Sequence, residues 1–212
     1  MVTYLGRREF FMPVKFSNDR IEIRLAGEGG QGMILAGIIL AEAAICDGKN
    51  ALQTQTYGQE ARGGASKAEV IIVLEEIDHP EVIMADVLVA VSQEACDKYA
   101  SNLKKTGLLI VDEEKVGRVP VTSAVKAPIT RVAVEATGKA ITANVVALGL
   151  LVGLTEVVSR QAIESAVLAR APQGTDELNR KALAAGFVMA EALLAQTSSR
   201  LDRSSRMFYQ EL

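Results

Sequence analysis

The chain has no tryptophan, one histidine and two cysteines in 212 residues, and aromatic residues make up only 4%. Each shortage removes a class of chemistry. So few aromatics suit closely packed helices and sheet rather than an aromatic-rich binding surface. The one histidine, His79, sits in Asp78-His79-Pro80 and reads as a turn residue, and with no other histidine available no Ser–His–Asp arrangement can be assigned. Cys46 and Cys96 form no CxxC pair, so this chain by itself cannot hold an iron–sulfur cluster. Both lie in apolar or amphipathic patterns and are expected to be buried free thiols in a reducing cytoplasm.

A strong excess of either positive or negative residues is also missing. The net charge is −3 and the isoelectric point about 5.4, which speaks against a general nucleic-acid binder with a basic footprint. The first twenty residues carry charges throughout and lack the apolar centre of a secretory signal. The longest apolar stretch, Ile141 to Val158, contains Thr142, Asn144, Thr155 and Glu156. It falls near the lower length limit for a membrane span and is expected to be a buried helix. The expected setting is cytoplasmic, without membrane or nucleic-acid contact.

What the chain does have is apolar content, 49% of residues, enough for a sizeable core. Residues 1–20 read as an N-terminal extension, 21–196 as one α/β domain and 197–212 as a polar tail. Strands are expected at Ile21–Ala26, Ala51–Tyr57, Ala68–Leu74, Asp86–Val91 and Leu108–Val111, with a short one near Val119–Val121. Helices are expected at Gln31–Asp47, at Gln93–Lys104 behind the cap Ser92, and through most of the chain after Pro128, with one helical turn at Pro80–Met84. The last helix is expected from Asp176 to about Ala195, capped by Thr175. This alternation implies a three-layer, doubly wound, mostly parallel sheet with a helical C-terminal third.

The segment Ile21–Gly32, IEIRLAGEGGQG, places Gly27, Gly29, Gly30 and Gly32 between a strand and a long apolar helix. Such a loop turns sharply, lets a ligand approach the backbone and aims N–H groups at an anion above the helix start. Gly27, Gly29 and Gly32 satisfy GxGxxG. The Rossmann fingerprint also wants an acid at the end of the second strand, where this chain reads Gln53-Thr54-Gln55-Thr56. Gln31 inside the loop has an amide that can reach into the ligand space. The spacing is not that of a Walker-type phosphate loop. Asp112-Glu113-Glu114 reads as a solvated loop, and Asn144, in an apolar helix, needs buried partners.

A second loop, Tyr57-Gly58-Gln59-Glu60-Ala61-Arg62-Gly63-Gly64, follows the second expected strand. In a doubly wound sheet it should lie beside the first. Arg62 offers a planar donor fork for phosphate or carboxylate, or an ion pair with Glu60 or Glu28 that stiffens the loops. Gly63 and Gly64 would admit a ligand or a partner's backbone.

AGEGGQG followed about thirty residues later by YGQEARGGASKAEVII resembles the gamma subunit of the 2-oxoacid:ferredoxin oxidoreductases, the pyruvate/ketoisovalerate oxidoreductase gamma-domain family. The likeness extends over roughly Ile23 to Ala195 and includes PITRVAVEATGKAITANVVALGLLVGL. The departures are minor: Gln59 where the family often has Ser or Pro, and Ala61 where it often has a larger residue. The resemblance implies an accessory subunit of an enzyme that oxidatively decarboxylates a 2-oxoacid to its acyl-CoA and reduces ferredoxin. It implies alpha and beta catalytic subunits as partners, with a ferredoxin-like delta subunit as a further one. Thiamine diphosphate, magnesium and iron–sulfur clusters then belong to those partners, and coenzyme A is a co-substrate of the complex. No catalytic residue, metal site or resident cofactor is expected on this chain, which alone should be inactive and can form a homodimer. Pyruvate and 2-oxoglutarate lead the candidate substrates. The residues expected to bind a cofactor or contact a subunit are Gly27, Gly29, Gly30, Gln31, Gly32, Tyr57, Gly58, Glu60, Arg62, Gly63 and Gly64. Two rival readings stay open, a stand-alone dinucleotide-binding oxidoreductase and a ligand-free assembly module.

Overall fold

In the computed structural model the described residues are 19–57, 64–120 and 124–208, with side chains as far as Gln196. Six strands form one sheet: β1 (Arg20–Glu28), β2 (Asn50–Thr56), β3 (Ala65–Val73), β4 (Ala85–Ala90), β5 (Leu103–Asp112) and β6 (Val125–Ala127), in the order β2-β3-β1-β4-β5-β6. From β1 outward, β4, β5 and β6 add in parallel. β3 runs antiparallel to both β1 and β2. The sheet is thus mostly parallel, as expected, with one reversed strand inside it.

That reversed strand changes the relation of the two loops. β2 does not lie beside β1; β3 is wedged between them. The segment after β2 is therefore the turn of a hairpin rather than a strand-to-helix loop. Because β2 runs in the same direction as β1, its end still reaches the sheet edge where β1 ends. The wedge also removes the neighbouring second strand on which a dinucleotide fold places its ribose-binding acid.

The pleat sorts the apolar residues onto two faces. Ile23, Leu25, Val70, Ile72, Val87, Val89 and Ile110 point to one core. Ile71, Val73, Leu88, Ala90, Leu109 and Val111 point to the other. The first face is covered by α1 (Met33–Cys46), α3 (Ile129–Thr137), α4 (Ala143–Thr155), α5 (Arg160–Arg170) and α6 (Asp176–Phe208), and the second by α2 (Gln93–Tyr99). α4 is apolar around its whole circumference and almost wholly buried, as a helix of that pattern must be. It lies directly on α6: a Cβ at Gly149 would strike Leu183 O, and one at Gly186 would strike Val146 O. No helix among the described residues is long and apolar enough to cross a membrane.

Several boundaries depart from the expected ones. No helical turn forms at Pro80–Met84. α2 stops at Tyr99, and after one 3-10 turn at Ala100–Asn102 the chain is already strand at Leu103. Gly107 lies inside β5 rather than ahead of it, because the pairing with β4 shifts register there and absorbs the irregular stretch. The last strand forms at Val125–Ala127, not near Val119. Thr175 stands at the start of α6, its O accepting from Asn179 N at 3.0 Å, while its hydroxyl donates to Pro172 O. α6 runs on through the segment expected to be a polar tail, to Phe208. Cys96 is buried, and burial together with Asp97 pushes its thiol up from its ordinary pKa. Cys46 is exposed at the end of α1, contrary to expectation. Asp112 is no solvated residue either: it is fully buried and caps α3 by accepting from Thr130 N at 2.9 Å. Glu113 and Glu114 pair with Arg131.

An ion pair lies within the second core. Arg24 on β1 stands opposite Glu69 on β3. Its Nε donates to Glu69 Oε1 at 2.8 Å and its Nη2 to the same oxygen at 2.6 Å, and Nη2 also donates to Val82 O. Only 3% of the Arg24 side chain and 11% of that of Glu69 is exposed. Lys67 Nζ reaches the other carboxylate oxygen at 2.8 Å, and the Arg24 guanidinium lies 5.5 Å from the Tyr99 ring centre. Replacing one member leaves a buried charge without its partner. Arg24→Met should lower the unfolding free energy by about 3–5 kcal/mol, whereas Arg24→Met with Glu69→Leu should recover most of that loss. Urea unfolding of the three proteins checks both numbers.

Candidate functional site

β1 ends at Glu28, and the chain turns through Gly29–Gly32 into α1. The four glycines serve different purposes. At Gly27 a Cβ would lie 2.5 Å from Gln31 Oε1 and 2.7 Å from Val91 Cγ2, so the position must stay bare for the loop to close on the sheet. Gly32 has φ +73°, a left-handed conformation, and a Cβ there would lie 2.6 Å from Asn144 Nδ2. Gly29 and Gly30 have nothing within 4 Å of where a Cβ would stand, and both are exposed. Packing therefore explains Gly27 and Gly32, and a left-handed φ of +88° explains Gly30, which leaves Gly29 with neither reason. Gly29 and Gly30 present bare backbone to whatever approaches.

Gln31 does not reach outward as its place in the loop suggested. Its side chain folds back: Oε1 accepts from Glu28 N at 2.6 Å, and Nε2 donates to Val91 O at 3.3 Å. The amide thus closes the loop over the end of β4 and leaves the space above Gly29 and Gly30 free. The start of α1 has no capping side chain, because Gly32 is its N-cap, and no acid stands in its first turn. The positive end of the helix dipole is left without a carboxylate of its own.

Asn144, at the buried start of α4, supplies the loop's second tie. Its Nδ2 donates to Gly32 O at 3.3 Å while its Oδ1 accepts from Val145 N at 2.9 Å. This meets the requirement for buried partners that its apolar surroundings impose.

The second loop enters the same edge. Cross-strand pairing sets Gly27 opposite Ser66 and Glu28 opposite Ala65. Ser66 Oγ donates to Gly27 O at 3.1 Å. Ala65 is held from both ends: its N–H donates to Glu94 Oε1 at 3.0 Å, and its C=O accepts from Tyr99 Oη at 3.3 Å. Before the loop, Tyr57 is 64% exposed, its hydroxyl accepting from Gln55 Nε2 at 3.3 Å. After it, Gly64 takes φ +113°. Gly58, Glu60, Arg62 and Gly63 lie outside the described residues.

Glu94, Tyr99 and Ser66 were not singled out from the sequence as parts of the site. Ser66 lay within the loop motif and was open to that reading. Glu94 read as a first-turn acid of α2, which it is, since Ser92 Oγ caps that helix by accepting from Ala95 N at 3.2 Å. Its second task, gripping Ala65, depends on a contact between segments twenty-nine residues apart. Asp47 and His79 lie elsewhere. Asp47 accepts from both Ser159 N and Ser159 Oγ. His79 offers only its backbone carbonyl, to Arg20 at the start of β1, the opposite end of the sheet from the loops. Among the described residues no group of three His, Cys, Asp or Glu side chains could hold a metal ion.

The hold of Asn144 on the loop is testable by itself. Asn144→Ala should cost about 1–3 kcal/mol, because Val145 N loses its buried acceptor and Gly32 O keeps only the bond from Ala36 N. It should also speed amide hydrogen exchange at Gly29–Met33 while leaving exchange in β5 unchanged.

The sequence profile of the pyruvate ferredoxin/flavodoxin oxidoreductase family matches residues 22–189. The chain is 53% identical over 135 residues to the 2-oxoglutarate synthase subunit KorC of Methanocaldococcus jannaschii, an alignment that covers 61% of this chain and 72% of the relative. Its fold is similar to the crystal structure of the keto/oxoacid ferredoxin oxidoreductase gamma subunit from Geobacter sulfurreducens, with TM-score 0.75 and 50% identity, covering 82% of this chain and 98% of that one. It is also similar to pyruvate oxidoreductase subunit PORC from Thermotoga maritima, with TM-score 0.66 and 27% identity over 81% of this chain and 97% of that one. With both glycine loops and the helices behind them inside the matched span, the chain belongs to the pyruvate ferredoxin/flavodoxin oxidoreductase family.

Proposed function

We propose that this chain is the gamma subunit of a 2-oxoacid:ferredoxin oxidoreductase whose substrate is 2-oxoglutarate. The edge formed by Gly27–Gly32 and Tyr57–Gly64 then faces the catalytic subunits beside the path of coenzyme A. The archaeal relative that shares half of its aligned residues is a 2-oxoglutarate synthase subunit, which supports that substrate over pyruvate.

One observation carries the placement of the edge. Gly29 and Gly30 stand open above the end of β1, next to the anchored exit of the second loop at Ala65. Bare N–H groups and the uncompensated start of α1 favour an anionic group there. The diphosphate of coenzyme A has that chemistry, and so does a carboxylate of a partner subunit. Arg62, on the loop between Tyr57 and Gly64, adds a bidentate donor for the same group.

The chemistry of decarboxylation and electron transfer is assigned to partner subunits, alpha, beta and a ferredoxin-like delta, with their thiamine diphosphate, magnesium and clusters. The donor set of this chain agrees. An iron–sulfur cluster takes four cysteines, and the two here are one exposed thiol on α1 and one buried thiol on α2. The role left for this chain is to hold, orient and shield. The Gln31 and Asn144 ties keep the first loop rigid, and the Glu94 and Tyr99 bonds keep the exit of the second in place.

In the assembled complex, Arg62→Ala should raise the KM for coenzyme A about tenfold or more, in line with about 1.5–3 kcal/mol for a hydrogen bond to a charged group. Gly29→Val, at a position with open space and no left-handed backbone, should raise it as well or weaken co-purification of the catalytic subunits. If Arg62→Ala leaves KM and turnover unchanged but loosens the assembly, the loops touch only partner protein. If assembly, turnover and KM are all unchanged for both variants, the reading fails.

A further inference from the structure

Among the described residues the sheet has two edges. One is β6, only three residues long. The other is β2, Asn50–Thr56, seven residues of sequence NALQTQT. A strand at a sheet edge offers a row of unpaired N–H and C=O groups to any other strand. Proteins usually blunt such an edge with lysine, proline, a bulge, shortness or a covering segment. β2 has no charge and no proline. Its register against β3 runs from Asn50 to Thr56 without a shift. Among the described residues β3 is its only hydrogen-bonded neighbour in the sheet. Within the strand, Thr54 O accepts from the strand's own Gln53 Nε2 at 3.0 Å.

Beside this edge runs an apolar stripe. α1 lies over β3 and β2, with Gly37 against Ala68 and Gln53. Leu35 and Ile39 turn toward α4 and α5, where they line a cavity of about 230 Å³ with Val145 and Val167. At about 100° per residue, Ile34, Ile38 and Ile45 fall within an arc of roughly 40° on the other flank, about 120° round from Ile39. Ile34 and Ile38 are half-buried and Ile45 is 59% exposed.

We propose that two copies of this chain associate through this edge. β2 pairs antiparallel with its counterpart about a two-fold axis, and the isoleucine stripes of the two α1 helices meet above the joint. The occupant is a second copy because the surface is complementary to itself. A two-fold centred on Gln53 sets Asn50 opposite Thr56, Ala51 opposite Gln55, Leu52 opposite Thr54 and Gln53 opposite Gln53. All seven residues are neutral, so no like charges face each other. The same axis lays apolar stripe on apolar stripe, as an isologous contact requires. This inference does not depend on the assigned substrate.

The test uses the full chain. Light scattering across a dilution series should give twice the 22.6 kDa of one copy. Thr54→Lys with Gln55→Lys puts lysines on exposed positions of the edge and should halve the mass with the circular dichroism spectrum unchanged. In a Cys46→Ser background, Gln53→Cys should form a reducible cross-linked dimer in air. A native chain that scatters as a single copy overturns the proposal. So does a dimer that the lysines leave intact and Gln53→Cys fails to cross-link, which would place the contact elsewhere on the surface.

Discussion

The buried pairing of Arg24 with Glu69 is the interaction on which the arrangement of the site depends. Both side chains lie on the α2 face of the sheet, directly across from each other on β1 and β3. A slip of one residue would turn Arg24 into the apolar core under α1 and strip Glu69 of its partner. Either result exposes a charge to a medium that cannot solvate it. The pair therefore enforces one register, and that register sets Gly27 opposite Ser66 and Glu28 opposite Ala65. The two loops meet at one edge because a charge pair about three residues deeper in the sheet permits no other alignment.

Around that register, each loop is tied by groups that belong to other elements. Gln31 and Asn144 hold the first, from within the loop and from α4. Glu94 and Tyr99, both on α2, hold the exit of the second. The first loop is thereby tied to the sheet and to α4, and its upper surface, at Gly29 and Gly30, is bare. Such a surface suits the accessory role proposed above, in which it would contribute shape and hydrogen-bond donors to a site completed by partner subunits.

Much of this was legible beforehand. Apolar runs of the right length mark β1, β3 and β4, and Ser92 marks the start of α2 as its cap. The misreadings share a cause. Leu103 and Lys104 continue the helical pattern of α2, yet the chain there is strand, because β4 offers a ladder to pair with. Pro80–Met84 looked like a turn of helix, but Val82 O is claimed by Arg24, and the segment is pinned in an irregular path. Asp112 resembled any acid at a strand end until α3 placed Thr130 over it. In each case a long-range partner overrode a local preference, and no such partner is visible in a window of neighbouring residues.

Local patterning and motif spacing are enough to specify the class of the fold, the first glycine loop and the family. The sequence by itself also determined that the chain lacks the cysteines for a cluster and the histidines for a triad. Three things lie beyond local patterning: β3 is reversed between β1 and β2, Gln31 points inward, and two of the four glycines are open while two are packed. Those facts come from pairing and packing between segments far apart in the chain. A glycine reads the same in sequence whether it lies beneath an asparagine or faces open space, since what distinguishes the two is the presence of other atoms where a Cβ would stand.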